Sequence, residues 1–192
     1  MRVIAGSARS QKLTAPKGLE VRPTTDRIKE TLFNIISADI YGCSFLDLFC
    51  GSGAIGIEAL SRGAQNAVFV DESRTSADCT IANLKFTRLE KNAEVIRSDA
   101  VSVIRRLKNE NRHFDIIFMD PPYDRELEKT VLEQEAFCDI LNEDGIVIVE
   151  ASSSTDFEYA GECGLDVYRE KVYGSNKHVF LRKKTQIKDR LI

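Results

Sequence analysis

Three acidic residues and three glycines are spaced along this chain as a nucleoside-binding rim would require, with a fourth acid, Asp47, inside the first strand. Asp47-Leu48-Phe49-Cys50-Gly51-Ser52-Gly53-Ala54-Ile55-Gly56 carries the G-x-G-x-x-G pattern between an apolar run and a segment of helical period. One glycine suits the tight turn, one a close approach to a ligand, and one the packing of helix on sheet. The helix that follows would aim its positive N-terminal end at the ligand. Asp71 closes the next apolar run (67–70), 20 residues beyond Gly51. That is the spacing at which a carboxylate grips ribose hydroxyls. Asp99 and Asp120 likewise stand just past strand-like runs at 93–97 and 114–119. A glycine turn with no ligand and Asp71 as a helix cap are the structural alternatives, although Ser73 would cap as well.

A rim this acidic selects the charge of its ligand. A dinucleotide brings a pyrophosphate that Asp47 and Asp99 would repel; like charges about 4 Å apart cost about 4 kcal/mol at an effective dielectric of about 20. S-adenosylmethionine carries a sulfonium and an ammonium, so a methyl donor fits better.

Asp120-Pro121-Pro122-Tyr123 suggests the acceptor. The exocyclic amine of a nucleobase is a poor nucleophile because its lone pair is conjugated into the ring. A site that accepts hydrogen bonds from its N–H groups can draw the nitrogen toward tetrahedral geometry and aim that lone pair at a methyl group. The Asp120 carboxylate and the Pro121 carbonyl can do this, on a turn that two prolines stiffen. Tyr123 can stack on the base, a contact typically worth about 1–3 kcal/mol. The base must leave its stack to arrive. The alternative is a rigid strand exit with Asp120 satisfied by backbone amides.

These residues need strands to end beside one another, and the chain supplies them. After an amphipathic helix with Ile28, Leu32, Ile35 and Ile36 on one face, strand-like runs alternate with helical segments near 75–88, 100–107 and 127–138, and a strand at 145–150 follows. Such alternation implies right-handed crossovers and a largely parallel sheet covered on both faces. Two last strands, 165–172 and 178–182, read as an antiparallel hairpin closed by Gly174-Ser175-Asn176. At the other end, Arg2-Val3-Ile4-Ala5-Gly6 reads as a strand whose return lies at 17–21, a small basic hairpin. The expected division is a basic extension at 1–24 and an α/β domain at 25–192.

With 192 residues, 43% of them hydrophobic and 30% charged, the chain suits one globular domain with a small appendage. No apolar run approaches the length of about 18 residues that a membrane span needs, and there is no signal-peptide pattern. The net charge of −3 hides an asymmetry: +5 over residues 1–29 and +6 over 168–192 leave −14 for 30–167. Basic ends on an acidic body suit a polyanionic partner, with solvated termini as the alternative. The five cysteines form no C-x-x-C pair and only His113 and His178 accompany them, so no metal is expected and the thiols read as free in a reducing cytoplasm. Cys50, with no histidine beside it in sequence, reads as a small apolar residue.

Asp47-Leu48-Phe49-Cys50-Gly51-Ser52-Gly53 together with Asp120-Pro121-Pro122-Tyr123 resembles class I S-adenosylmethionine-dependent amino-methyltransferases. Arg2-Val3-Ile4-Ala5-Gly6 and Arg22-Pro23-Thr24-Thr25-Asp26-Arg27-Ile28-Lys29-Glu30-Thr31-Leu32-Phe33-Asn34 narrow the resemblance to the bacterial family that methylates N2 of one guanine in 16S rRNA. It implies a Rossmann-like, seven-stranded methyltransferase fold with an N-terminal β-hairpin extension. It further implies that Asp47 and Gly51, with Ser52 and Gly53, hold the methionine part of the donor, Asp71 the ribose, and Asp99 with Ala100 the adenine. Asp120, Pro121, Pro122 and Tyr123 would receive the target amine, and Arg2, Arg9, Arg22, Thr24 and Arg27 would lie toward the RNA. The RNA would be met within the small ribosomal subunit or an assembly intermediate. An aspartate heads the proline motif where many adenine-N6 enzymes have asparagine, which favours guanine. A DNA adenine enzyme would need a target-recognition domain, and an NAD-dependent dehydrogenase a substrate domain, for which only 42 residues follow residue 150. A non-catalytic RNA-binding protein would account for the basic ends alone.

Overall fold

The computed structural model describes residues 1–16, 25–122 and 125–184. Its centre is a seven-stranded sheet in the order β3-β2-β1-β4-β5-β7-β6, built from β1 Ser44–Leu48, β2 Asn66–Asp71, β3 Ala93–Arg97, β4 Phe114–Met119, β5 Leu141–Ser152, β6 Leu165–Tyr173 and β7 Asn176–Lys183. The neighbours from β3 to β5 pair in parallel, and β7 runs antiparallel between β5 and β6. Helices α1 Asp26–Ile35, α2 Ala54–Ser61, α3 Arg74–Thr87, α4 Ala100–Asn109 and α5 Leu127–Leu132 complete the layers.

The strand order follows from the apolar runs. β1, β2 and β4 are buried nearly throughout, as central parallel strands covered on both faces must be. Phe45, Phe69, Phe118 and Phe180 fill one core layer; Leu46, Val68, Ile117 and Val147 fill the other. Consecutive residues thus serve opposite layers, as the two-residue period of a strand dictates. β6 is the edge, exposed along nearly its whole length.

Gly56, on the sheet-facing side of α2, shows how closely that helix lies. A Cβ there would stand 2.3 Å from Cε1 of the buried Phe69 ring. Gly56→Ala is therefore expected to cost about 1–3 kcal/mol, the usual penalty of overpacking. A lowered urea midpoint with an unchanged slope would register it; an unshifted midpoint would mean that the ring yields freely.

Several local expectations are corrected. In place of a 2–6 strand, Arg2 pairs with Lys12 across a turn at 5–10; the return expected at 17–21 lies outside the described residues. Val3, Ala8 and Leu13 enter the core layer shared with α1 and α2. α5 ends at Leu132, because a turn from Gln134 to Phe137 then drives Ala136, Phe137 and Ile140 into the core. On α4 the inward positions include Val103, with Val101 only partly covered. On α1 the inward set is Lys29, Leu32, Phe33 and Ile36, with Ile28 and Ile35 partly exposed. On α3 Ile81 points outward, because Ser76, Thr80, Asn83 and Thr87 take the buried face beside Ala77 and Leu84. The hairpin of β6 and β7 is present, tightened to the two residues Gly174 and Ser175.

Candidate active site

The sheet reverses its order between β1 and β4, which pair directly. In open α/β sheets a ligand crevice forms outside the strand ends at such a switch point. The glycine loop leaves β1 there and Asp120-Pro121-Pro122 leaves β4 beside it, while Asp71 ends β2 and Asp99 follows β3. These strand ends and the loop lie along one edge of the sheet.

The loop is shaped by its backbone. Phe49 takes a left-handed conformation (φ 61°), an uncommon state for a bulky residue, of the kind that clusters at functional sites. Gly53 (φ 75°) then caps α2 in the same region, where a Cβ would also press on Thr80 at 2.8 Å. A Cβ on Gly51 would meet nothing within 4 Å, so the loop backbone faces open space in which a ligand can lie close. Two polar residues of α3 brace it from behind: Thr80 Oγ1 donates to Gly51 O (3.1 Å) and Asn83 Nδ2 to Ser52 O (2.9 Å). Neither residue stands out in the sequence, where the apolar positions of α3 carry the helical signal.

The carboxylates differ in environment. Asp47 is 1% exposed and its Oδ2 accepts from Gly56 N at 2.9 Å. Burial pushes it up to about 7, opposed by that amide and aided by the charge of Asp71. Asp71 is half-buried, with Oδ2 accepting from Gly51 N and Oδ1 from Ser73 N, both at 2.9 Å. It ties the loop to the end of β2 and keeps spare lone pairs, since a carboxylate offers about four acceptor sites. Ser73 caps α3. Asp99 is exposed and caps α4 through Ser102 N, whose amide and hydroxyl hold its carboxyl below the usual range. Ala100 beside it is buried. Asp120 is pushed well above the usual carboxylate range, first by burial, then by the charges of Glu150 and Asp47. Pro121 is buried and Pro122 exposed, while Tyr123 lies outside the described residues.

Cys50 is buried behind the loop, where burial and the neighbouring acids push its thiol well above the ordinary value. The described cysteines are all free thiols.

The N-terminal segment meets the rim. Met1 Sδ lies 3.5 Å from Ser52 Oγ, and Asn83 Nδ2 also donates to Thr14 O. Arg2, Arg9 and Arg27 are exposed, with Arg2 Nε on Asp26 Oδ2 at 3.0 Å; Arg22 and Thr24 fall outside the described residues. The segment is anchored by Glu58 of α2, fully buried, which accepts from Ile4 N (2.7 Å), Ala5 N (3.0 Å) and Arg62 Nε (2.8 Å). Lys29 Nζ, also buried, stands 3.2 Å from Glu58 and donates to Arg2 O at 2.6 Å. This buried cluster went unseen in the sequence, where its members lie on separate segments.

The donor set fits S-adenosylmethionine: a buried carboxylate beside the loop for a cation, a carboxylate with spare lone pairs for ribose hydroxyls, and a glycine turn with open space before it. Fold and rim together define a class I S-adenosylmethionine-dependent methyltransferase. Residues 1–182 match the family described as "Conserved hypothetical protein 95", and the chain belongs to that family. It is 39% identical to YlbH of Bacillus subtilis over 175 residues, 91% of this chain and 94% of that one. It is 35% identical to ribosomal RNA small subunit methyltransferase D of Escherichia coli (strain K12), over 97% of this chain and 91% of that one. The solved structure of yhhF from Escherichia coli superposes with a TM-score of 0.79 at 33% identity, over 97% of this chain and 99% of that one. No helix among the described residues is long and apolar enough to cross a membrane.

Proposed function

We propose that this chain transfers a methyl group from S-adenosylmethionine to the exocyclic N2 amine of a guanine in 16S rRNA, met in the cytoplasm within the small ribosomal subunit or an assembly intermediate. The observation that carries the reading is the direct pairing of β1 with β4, which brings the glycine loop and the Asp-Pro-Pro corner out of the sheet side by side. The RNA class is supported by the likeness to ribosomal RNA small subunit methyltransferase D and by the basic ends of the chain.

In this reading Asp47, Gly51, Ser52 and Gly53 receive the methionine end of the donor, Asp71 the ribose hydroxyls, and Asp99 with Ala100 the adenine. The donor supplies an electrophilic methyl carried on a sulfonium. Asp120 accepts an N–H of the guanine amine, the Pro121 carbonyl accepts the other, and the pair aims the nitrogen lone pair. Tyr123 stacks on the flipped base. After transfer the amine is a strong acid, and Asp120 takes its proton. No covalent enzyme intermediate is required. Arg2, Arg9, Arg22, Thr24 and Arg27, on or just after the basic 1–24 extension of the 25–192 domain, face the RNA, and their phosphate contacts weaken as salt rises.

Labelled donor offered in parallel to small subunits, free rRNA and DNA, followed by nucleoside mass analysis, tests the proposal. N2-methylguanosine from the ribosomal substrates is expected; N6-methyladenine from DNA, or no labelled nucleobase, would refute it.

Asp47 supplies a second check. Its carboxyl is raised in the folded protein, so the fold binds that proton more tightly than the unfolded chain does. Stability therefore falls as pH rises from the unfolded value near 4 to about 7, and is flat above. A cationic ammonium beside Asp47 reverses the preference. Donor affinity should weaken below about pH 7, by up to about tenfold per unit, because one proton must leave. Calorimetry in buffers of different ionisation enthalpy should show that proton; buffer-independent heats would remove Asp47 from the donor site.

A further inference from the structure

Asp120 heads a row of polar groups that runs across the sheet from β4 to β7. Phe118, Ile148 and Phe180 lie abreast on β4, β5 and β7 and belong to one core layer. Two positions nearer the rim on the same face come Asp120, Glu150 and His178. Asp47 lies on the same face of β1, two positions past Phe45.

Glu150 is 5% exposed and His178 fully buried. Their contact is direct: Glu150 Oε2 lies 3.1 Å from His178 Nε2, and Glu150 Oε1 accepts from Asn176 Nδ2 at 3.4 Å. The imidazole is held edge-on by Tyr173 (5.1 Å between centroids), Phe118 (6.2 Å) and Phe180 (6.5 Å). With Nε2–H donating to Glu150, Nδ1 is left without a partner among the described residues.

Such a pair is costly to bury, and apolar residues of similar volume would do as well or better for stability. Nor is it needed to join β5 to β7, whose ladder runs from Val147↔Leu181 to Ser152↔Asn176. One step past the Met119↔Val149 pair, Glu150 stands beside Asp120 and brings a negative charge there. Among the described residues, the charged and titratable groups facing this row include Asp47 from β1, Glu150 from β5, and His178 from β7 with Tyr173 from β6 behind it.

We propose that Glu150, held in place by His178, is a positioning residue for methyl transfer: its charge makes Asp120 a stronger acceptor for the target amine before transfer and the acceptor of its proton afterwards. The inference rests on the amino-methyl-transfer reading. As the nitrogen lone pair forms the new N–C bond, the C–S bond breaks with its electrons left on sulfur. The surplus proton on nitrogen passes to the Asp120 carboxylate, which becomes the neutral acid and releases it to solvent once the product departs. Like charges sharing a site raise the proton affinity of one of them, and a more basic carboxylate accepts a stronger hydrogen bond from the amine N–H.

The test is the pH dependence of turnover at saturating donor and small subunits, for the wild type, Glu150→Gln and Glu150→Asp, with donor affinity measured in parallel. Glu150→Gln should move the acidic limb down by about one pH unit and lower the plateau by about tenfold, with donor affinity changed less than about threefold. Glu150→Asp should keep the limb near its wild-type position. A limb that stays put in Glu150→Gln while the plateau falls would make Glu150 a packing residue and overturn the proposal. Should that variant not fold, carboxyl-carbon NMR of the wild type decides, with Asp120 assigned through Asp120→Asn. A raised titration with a second inflection from Glu150 supports the coupling; a single step in the ordinary carboxylate range overturns it. Failure of the underlying reading would look different: wild-type protein would leave guanine unlabelled whatever the carboxylates do.

Discussion

Asp120→Ala is expected to slow methyl transfer by about 10²–10⁴-fold, the range typical of losing a positioned acceptor and proton acceptor together. Donor affinity measured by calorimetry should change by less than about threefold. The asymmetry follows from where the residue stands. Asp120 leaves β4, whereas the loop proposed to hold the donor leaves β1 and is braced by Asp71, Thr80 and Asn83. Removing Asp120 touches none of those bonds. Nor should it weaken the fold, because a carboxyl whose proton affinity rises on folding lowers stability at neutral pH, and removing it relieves that cost. Asp120→Asn should fall between alanine and wild type, since the amide oxygen can still accept from the amine but cannot take its proton. Because the working form is the carboxylate, wild-type activity should decline as pH falls through a value well above that of an ordinary aspartate. Equal losses of turnover and donor binding in Asp120→Ala would place the residue in the donor site instead.

Glu58→Ala carries the largest expected effect on stability, about 3–5 kcal/mol, the usual result of stripping the partner from a buried charge. Lys29 Nζ would be left deep in the protein beside Arg2 O, and Ile4 N and Ala5 N would lose their acceptor. Burial already lowers the proton affinity of Lys29, and Glu58 is the chief group opposing that change. Urea unfolding gives the number, and a cycle with Lys29→Met separates the pair from its surroundings. The double variant Glu58→Met with Lys29→Met should recover part of the loss, because no charge is then stranded. If Glu58→Ala costs under about 1 kcal/mol, the cluster behaves as an exposed ion pair does and its anchoring role fails.

How much of this was legible beforehand depended on whether the signal was local. β3 and β4 lie at the residues their apolar runs mark, 93–97 and 114–119, because turn-forming residues bound those runs on both sides. The placement of the glycine loop and of Asp71 was equally legible, since strand, turn, helix and strand follow one another in one continuous stretch. Helix faces were read less well wherever polar residues face inward. Ile81 lost its expected place to Thr80 and Asn83, whose purpose is to hold loop carbonyls about 30 positions away in sequence. Lys29 and Glu58 follow the same logic: each looks like a surface residue until the fold brings them to 3.2 Å. His178 was read only as a strand residue and, with His113, as an unlikely metal ligand; its partner Glu150 lies on a strand joined to β7 by no local pattern. The early return of the N-terminal segment was missed because the turn at 5–10 is held from outside as well as by its own backbone, through Ser7 N and Ala8 N on Ser61 and Ala5 N on the Glu58 carboxylate.

The most direct measurement of the central claim is a crystal structure with S-adenosylhomocysteine bound. The expected result puts the amino-acid end of the ligand on the Gly51–Gly53 turn beside Asp47, the ribose on Asp71, and the sulfur facing the Asp120-Pro121 corner. A ligand seated away from the β1–β4 crevice, or a sulfur turned from Asp120, would contradict it.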